Sequence, residues 1–145
     1  MTKRILLLHG PNLNLLGLRE PDIYGADTLA DVEAASRNAG IDAGVEVVAQ
    51  QSNHEGQLVT WIQEARETAH AIVLNAGAYT HTSVAIHDAL RAFDGVIIEL
   101  HISNPHLREK FRHWSYISPC ADAIIAGFGV AAYPRAIRAA AKMVN

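Results

Sequence analysis

Short, continuous runs of apolar residues alternate with longer amphipathic segments along this chain of 145 residues. Unbroken runs rich in Val, Ile and Leu are typical of strands that are covered on both faces of a parallel sheet. The pattern therefore predicts five strands, over residues 4–10, 45–51, 71–77, 95–103 and 121–127.

Helical periodicity fills the segments between these runs. Asp27 and Thr28 are residue types that cap helices, and they predict a helix that ends at about Asn38. Leu29, Val32 and Ala35 should face inward from it. Further helices are predicted over residues 55–69, with Leu58, Trp61, Ile62 and Ala65 inward, over 82–92, with Ala85, Ile86 and Leu90 inward, and over 131–143.

This strict alternation of strands and helices predicts an α/β fold with a five-stranded parallel sheet and helices on both faces. Five strands in a chain of this length favour a flavodoxin-like strand order, with residues 1–145 as a single catalytic domain. Ligands of such sheets bind outside the carboxyl ends of the strands, where the strand order reverses. The residues that follow each strand are therefore the candidates for a site.

Composition narrows the classes of function. The net charge is −3, which gives no general attraction to nucleic acid or anionic membranes. Cys120 is the single cysteine, so no intrachain disulfide is possible and a reducing compartment is favoured. No apolar run approaches the roughly 18 residues needed to span a bilayer, and the core Ile5–Leu8 is too short for a signal peptide. We expect a cytoplasmic protein that binds neither nucleic acid nor membrane.

Polar and titratable residues concentrate at the carboxyl ends of the predicted strands. Because these ends share one edge of a parallel sheet, their side chains should lie close together. The residues are His9, Asn12, Asn14, Arg19 and Tyr24 after the first strand, Gln51 to Glu55 after the second, Asn75, Tyr79, His81, Thr82 and Ser83 after the third, and His101, Ser103, Asn104, Arg108 and Arg112 at the fourth.

Several chemistries fit these residues poorly. HGPNLNLLG is neither a dinucleotide-binding glycine motif nor a phosphate-binding loop, and no aspartate cluster suggests a phosphoacceptor. No G-x-S-x-G nucleophile motif occurs, and the histidines lack the spacing of metal ligands. A Schiff base needs a desolvated lysine, but none of the three lysines is expected to be buried at the carboxyl ends of the strands. They are Lys3, Lys110 and Lys142. We expect neither a cofactor nor a metal.

Acid–base chemistry on a small polar molecule remains. His101 at a strand end is a candidate acid or base, and Glu99 lies on the same strand face, where it could orient the imidazole. A purely structural Glu–His pair is the alternative. A free tyrosine is only about one part in a thousand phenolate at pH 7, so Tyr24 would need a cation such as Arg19 to act as a base.

The spacing of two further arginines points to an anionic or hydroxyl-rich ligand. Arg108 and Arg112 are four residues apart, which predicts that they share one face of a helix. One of them could support Tyr24 and the other could bind the ligand. A solvated charged turn is the alternative interpretation of this segment.

Four long blocks of the chain carry a resemblance to one family. GPNLNLLGLREPDIYG, QSNHEGQLVTWIQEA, NAGAYTHTSVAIHDAL and ELHISNPHLREKFRHWSYIS resemble type II 3-dehydroquinate dehydratases in order and spacing, over essentially the whole chain. The resemblance implies a flavodoxin-like subunit and a cofactor-free, metal-free anti elimination of water from 3-dehydroquinate through an enolate. It places the reaction in the shikimate pathway, or alternatively in quinate degradation.

The resemblance also assigns roles to individual residues. It implies that Tyr24 removes the proton beside the ketone and that Arg19 and Arg108 support the developing charge. His101 would protonate the departing hydroxyl. Asn12 would hold a water at the enolate oxygen, Asn75, His81 and Arg112 would bind substrate oxygens, and Ile102 and Ser103 would hold the carboxylate.

Asp88 has a different implied place. It lies within a predicted helix, and on its own it looks like a solvent-facing carboxylate. In the family that this chain resembles, the corresponding aspartate reaches the site of a neighbouring subunit in a homododecamer, a tetramer of trimers. Two other hypotheses stay open on the sequence: a flavodoxin-like module that binds a small anion without turnover, and a flavin-dependent electron carrier.

Overall fold

A single parallel sheet forms the centre of the molecule. The structure is a computed structural model that describes residues 2–145, except for the side chain of Tyr24. The strand order is β2-β1-β3-β4-β5, which confirms the predicted flavodoxin-like arrangement. The strands are β1 (Lys3–His9), β2 (Val45–Gln51), β3 (Ala71–Asn75), β4 (Val96–His101) and β5 (Ala123–Ala126).

The first helix of the chain, α1 (Pro21–Tyr24), is a single turn whose Pro21, Asp22 and Ile23 are exposed. Four longer helices cover both faces of the sheet, as predicted: α2 (Leu29–Ala43), α3 (Glu55–Thr68), α4 (Val84–Arg91) and α5 (Ala132–Val144).

Alternation along each strand divides the core in two. On β1, Ile5 and Leu7 pack in one cluster with side chains of α2 and α5, whereas Leu6 and Leu8 pack in the other with side chains of α3 and α4. The same alternation on β4 sends Leu100 toward α5 and leaves the next side chain, His101, on the α3/α4 face. No helix of residues 2–145 is long and apolar enough to cross a membrane.

The first long helix begins as predicted but ends later. Thr28 and Asp31 form a capping box at its start. A glycine near position 38 suggests a helix end, but Gly40 lies inside α2, where a Cβ would come within 2.7 Å of a Val47 methyl group. Gly40 therefore permits close packing on β2, and the helix ends only at Gly44, which is left-handed.

Two predicted inward residues are wrong: the buried position on α2 is one residue later than predicted, and on α4 it is one helical turn later. Ala35 is exposed and Ser36 is buried, because the Ser36 hydroxyl donates to the Val32 carbonyl at 2.8 Å and needs no other partner. Ala85 is exposed and Ala89 is buried on α4. The predicted inward side chains of α3 are confirmed, with Trp61 half-buried at its edge.

The strands are shorter at their ends than the apolar runs suggest. β3 stops at Asn75 because Gly77, with a φ of 58°, begins a 3-10 turn over Gly77–His81. The outer strand β5 is only partly covered, and its Ile124 is 57% exposed, so the expectation of strands covered on both faces is wrong at this edge.

The loops that follow β1 and β3 lie against each other, where the strand order reverses. The Gly10 N–H donates to the Asn75 carbonyl at 2.8 Å. A Cβ on Gly10 would come within 2.3 Å of the Ala76 carbonyl oxygen, so only glycine fits this approach. The close contact sets the floor of the cleft described next.

Candidate active site

A solvent-open cleft lies at the carboxyl ends of β1, β3 and β4. This is the edge at which a flavodoxin-like sheet binds its ligands. Nine of the twelve side chains predicted from the sequence line the cleft, so the fold brings these nine together. They are Asn12, Arg19, Asn75, His81, His101, Ile102, Ser103, Arg108 and Arg112.

The loop after β1 holds Asn12 in an unusual conformation. Its φ is 69°, a left-handed value that asparagine tolerates better than most residues. The Asn12 N–H donates to Oδ1 of Asn53 at 3.0 Å, and that oxygen also accepts from Gln51 Nε2 at 3.2 Å. Gln51 in turn donates to the Gly10 carbonyl at 3.1 Å. Side chains that follow β2 thus fix the backbone that presents Asn12 to the cleft.

The amide of Asn75 is held at both ends. Its Oδ1 accepts from the Gly77 N–H at 3.2 Å, and because an N–H can only donate, this contact fixes which amide atom is the oxygen. Nδ2 then donates to the Tyr133 hydroxyl at 2.9 Å. Tyr133 belongs to α5 and is fully buried, so the last helix orients a side chain that lines the cleft.

His81 has a defined tautomer. Its Nδ1 lies 2.7 Å from the Trp114 carbonyl, which can only accept, so Nδ1 carries the proton. Burial lowers the pKa of His81, and the nearby His101 and Arg112 lower it further, against the opposite effects of the Trp114 carbonyl and Glu99. His81 is therefore neutral at pH 7, and its Nε2 is an acceptor for a ligand hydroxyl.

His101 and Glu99 form the predicted pair on β4. Nε2 of His101 lies 2.5 Å from Oε2 of Glu99, and Glu99 is 2% exposed. Burial alone raises the pKa of this carboxyl, but hydrogen bonds from His101, Ser118 and Ser115 outweigh it, so the net pKa of Glu99 is lowered. A buried carboxylate thus holds Nε2–H and leaves Nδ1 of His101 for a ligand in the cleft.

Arg108 and Arg112 both line the cleft, but the predicted helix is wrong. The segment forms two 3-10 turns, Pro105–Leu107 and Lys110–Arg112, with Arg108 extended between them. Pro105 and the Asn104 cap start the first turn, which ends at Arg108, where the backbone becomes extended. Nη1 of Arg108 lies 3.4 Å from the Ser103 hydroxyl.

Carboxylates pair with these arginines from outside the cleft. Arg112 Nε donates to Glu109 at 3.1 Å, and an Arg19 nitrogen lies 3.2 Å from Glu20. No carboxylate is among the described residues that line the cleft, whereas three arginines are. The cleft is therefore electropositive and suits an anionic ligand.

Three predicted residues do not line the described cleft. Glu99 lies behind His101 and reaches the cleft only through it. Asp88 is exposed on α4 and contributes nothing to the cleft of its own chain. The side chain of Tyr24, the predicted base, lies outside the part of the structure that is described.

Sequence reasoning missed an apolar part of the lining and a polar layer beneath it. The apolar residues carry no chemical signal, although Pro11, Leu13 and Leu16 sit between polar residues that were predicted. This layer consists of the buried Tyr133 and the half-buried Ser115 and Ser118, whose partners are distant in sequence, so no spacing could reveal them.

The donor set favours acid–base chemistry over the other classes. Within residues 2–145, no group of three or more His, Cys, Asp or Glu side chains could hold a metal ion. None of the three lysines is among the described lining residues, which removes the usual group for a Schiff base. What the cleft offers is a carboxylate-held imidazole, three guanidinium groups and directed amides.

Comparisons with known proteins agree with this geometry. The family model described as dehydroquinase class II matches residues 3–141. A 3-dehydroquinate dehydratase of Variovorax paradoxus is 59% identical over 142 residues, which cover 94% of this chain and 97% of that protein.

Two crystal structures of similar chains have the same fold. A type II dehydroquinase of Butyrivibrio crossotus has a TM-score of 0.93 and 42% identity, covering 96% of this chain and 97% of that one. A type II dehydroquinase of Propionibacterium acnes has a TM-score of 0.94 and 40% identity, covering 98% of both chains.

Proposed function

Since this chain belongs to the dehydroquinase class II family, we propose that it is a hydro-lyase that removes water from 3-dehydroquinate by anti elimination. The product is 3-dehydroshikimate, and the reaction takes its place in the shikimate pathway. The observation that carries the proposal is the cleft itself, which combines three arginines with an imidazole held by a buried carboxylate. Residues 1–145 act as a single catalytic domain in the cytoplasm.

His101 is the acid of the proposed reaction. Its Nε2 is engaged by Glu99, so the proton that reaches the departing hydroxyl comes from Nδ1. Glu99 remains a carboxylate throughout and stabilises the imidazolium before transfer. Proton donation converts a poor leaving group, hydroxide, into water.

Tyr24 is the base, and it removes a proton from the carbon beside the ketone. It acts from the segment between Gly17 and Gly25, which follows β1, whereas His101 acts from β4. Base and acid from different strand ends can approach a ring from opposite faces, as anti elimination requires. Arg19 and Arg108 support the phenolate and the negative charge that develops in the enolate.

The remaining polar groups bind the substrate. Asn12 holds a water at the enolate oxygen, where charge develops. Neutral His81 accepts a hydrogen bond from a ring hydroxyl, and Asn75 offers an oriented amide. Arg112 binds a further substrate oxygen, and the Ile102–Ser103 backbone with the Ser103 hydroxyl binds the carboxylate.

The active form of the enzyme is a homododecamer, a tetramer of trimers, in which Asp88 of a neighbouring copy reaches each cleft. Asp88 is exposed on α4 and does not serve its own cleft, which leaves it available to another. Large apolar side chains are exposed around the cleft and the β5 edge, and a subunit contact would bury them. They include Leu107, Phe111, Trp114, Ile124 and Phe128.

A direct assay tests the activity. The product is a conjugated enone, so ultraviolet absorbance should rise when the protein meets 3-dehydroquinate in the presence of EDTA. Tyr24→Phe should nearly abolish this turnover while it preserves binding of a substrate analogue. A folded wild-type oligomer that produces no absorbance rise would contradict the proposal and favour an anion-binding module.

The absence of lysines from the described lining offers a second, independent check on the reaction class. Borohydride added with substrate should leave the enzyme active, because no imine forms to be trapped. Irreversible inactivation, with a mass increase on Lys110 or another lysine, would indicate a Schiff base instead.

A mixture of two inactive variants tests whether Asp88 acts across subunits. If it does, oligomers assembled from Tyr24→Phe subunits and Asp88→Asn subunits should regain activity, because some clefts then combine an intact Tyr24 with an intact Asp88 of a neighbour.

A further inference from the structure

The acid of this site is supported from behind by a compact polar layer. Glu99 is 2% exposed, yet three side chains donate hydrogen bonds to its two oxygens. His101 Nε2 and the Ser115 hydroxyl contact Oε2 at 2.5 and 2.8 Å, and the Ser118 hydroxyl makes a short hydrogen bond to Oε1. A buried carboxylate with this many donors is held in one orientation.

The direction of the Ser115 hydrogen bond is fixed by its surroundings. The oxygen of Ser115 accepts the backbone N–H groups of Ile117 and Ser118, each at 3.0 Å. These two contacts occupy its lone pairs, so its hydrogen is left for Glu99. Residues 115–118 therefore form a turn that is built around the carboxylate, although they lie 16 to 19 positions from it in sequence.

We propose that Ser115 and Ser118 are positioning residues for the proton donor: together they lock Glu99 as an anion in the orientation that aims Nδ1 of His101 into the cleft. The inference rests on the proposed function, because it assigns His101 the role of the acid. Neither serine lines the described cleft, so each acts only through Glu99.

The electrostatics of the pair agree with this role. Burial raises the pKa of Glu99, and the donors together lower it below its ordinary value. Loss of one serine hydroxyl leaves more of the burial effect uncompensated, so Glu99 takes up a proton at higher pH. Among the described residues, the titratable or charged groups near Glu99 include His101, His81, Arg112 and Cys120, and removal of a serine changes none of them.

Ser118→Ala is the sharper test, because it removes one hydroxyl and keeps the backbone N–H that Ser115 accepts. We expect kcat to fall about tenfold, the equivalent of one well-placed hydrogen bond, while KM changes by less than about twofold. The acidic limb of the pH profile of kcat should move to higher pH. Ser115→Ala should act in the same direction and also lower stability, because two backbone N–H groups lose their acceptor.

Two matched variants separate positioning from packing. Ser36→Ala removes a fully buried serine hydroxyl on α2 that, among the described residues, donates to the Val32 carbonyl alone, and it should leave kcat and the pH profile unchanged. Ser118→Thr keeps a hydroxyl and should restore much of kcat. A Ser118→Ala protein that is folded and retains the wild-type kcat and pH profile would overturn the inference, as would a Ser36→Ala protein that shows the same shift.

A substrate-free measurement keeps this inference distinct from the proposed function. The proton in the short hydrogen bond between His101 and Glu99 should give a far-downfield NMR resonance. We expect this resonance to shift or broaden in Ser118→Ala and to persist in Ser36→Ala. Loss of activity in every form of the protein would count against the dehydratase, whereas an unchanged resonance in Ser118→Ala would count against the serines.

Discussion

Replacement of His9 by leucine should make the fold markedly less sensitive to acid. His9 ends β1 and is completely buried against the ring of Tyr133, with ring centroids 5.6 Å apart. Neither ring nitrogen has a hydrogen-bond partner among the described residues. Burial, with a smaller effect of Arg37, lowers the pKa of His9 from 6.5 to about 4.

A nearby carboxylate does not reverse this effect. Glu33 lies 3.9 Å from Nε2, too far for a hydrogen bond, and it also pairs with Arg37 at 3.4 Å. Burial therefore decides the charge of His9, and the imidazole is neutral in the folded protein at pH 7. The unfolded chain, in contrast, exposes a histidine with an ordinary pKa.

The sign of the linkage follows from proton counts. Between pH 6.5 and 4 the unfolded state binds a proton at His9 and the folded state does not, so stability is lost as the pH falls through this window. At about 1.4 kcal/mol per pH unit, the full loss is about 3 kcal/mol, of which about 2 kcal/mol should be gone by pH 4.5. Below pH 4 both states are protonated and the loss stops.

Urea unfolding followed by circular dichroism measures this effect at one fixed protein concentration. The wild type should lose about 2 kcal/mol more than His9→Leu between pH 7 and 4.5, because carboxylate contributions are common to both proteins. His54→Gln, at an exposed histidine, should behave like the wild type. Parallel pH dependences of the wild type and His9→Leu would refute the reasoning.

Three further changes test the floor and walls of the cleft. Tyr133→Phe removes the hydroxyl that accepts from the Asn75 amide, so KM in the absorbance assay should rise several-fold, and by at most about tenfold for one hydrogen bond. A KM equal to that of the wild type would contradict a role of this contact in substrate binding. Gly10→Ala places a Cβ against the Ala76 carbonyl, so the midpoint of thermal unfolding should fall by several degrees. An unchanged midpoint would show that the loops after β1 and β3 can move apart at no cost. Arg112→Ala should raise KM more than it lowers kcat, because the guanidinium binds substrate in both ground and transition states, and a selective loss of kcat would move Arg112 into the chemistry.

The fold was predictable because its signals are local and strong. Continuous apolar runs indicated every strand, and Thr28, a residue type that caps helices, indicated the start of α2. The errors arose where a residue serves tertiary packing instead of local structure. Gly40 suggests a helix end on its own, but it is needed inside α2 to let the helix approach β2.

The site was predictable to the extent that it follows strand ends. Asn75 and His101 end β3 and β4, so the fold class alone placed them at one edge. Ser115, Ser118 and Tyr133 could not be found in this way, since they meet their partners through loops and a helix far away in the chain. The Arg108–Arg112 spacing suggested a helix, but the backbone is extended at Arg108 and divides the segment into two 3-10 turns, which side-chain spacing alone does not reveal.

The stereochemistry of proton loss tests the central claim most directly, namely a base and an acid that act on opposite faces of the substrate. The measurement uses 3-dehydroquinate that carries one deuterium beside the ketone, placed either anti or syn to the departing hydroxyl. Mass spectrometry of the product should show loss of the anti label and retention of the syn label. Loss of the syn label would contradict the account, because one face of the ring would then hold both groups.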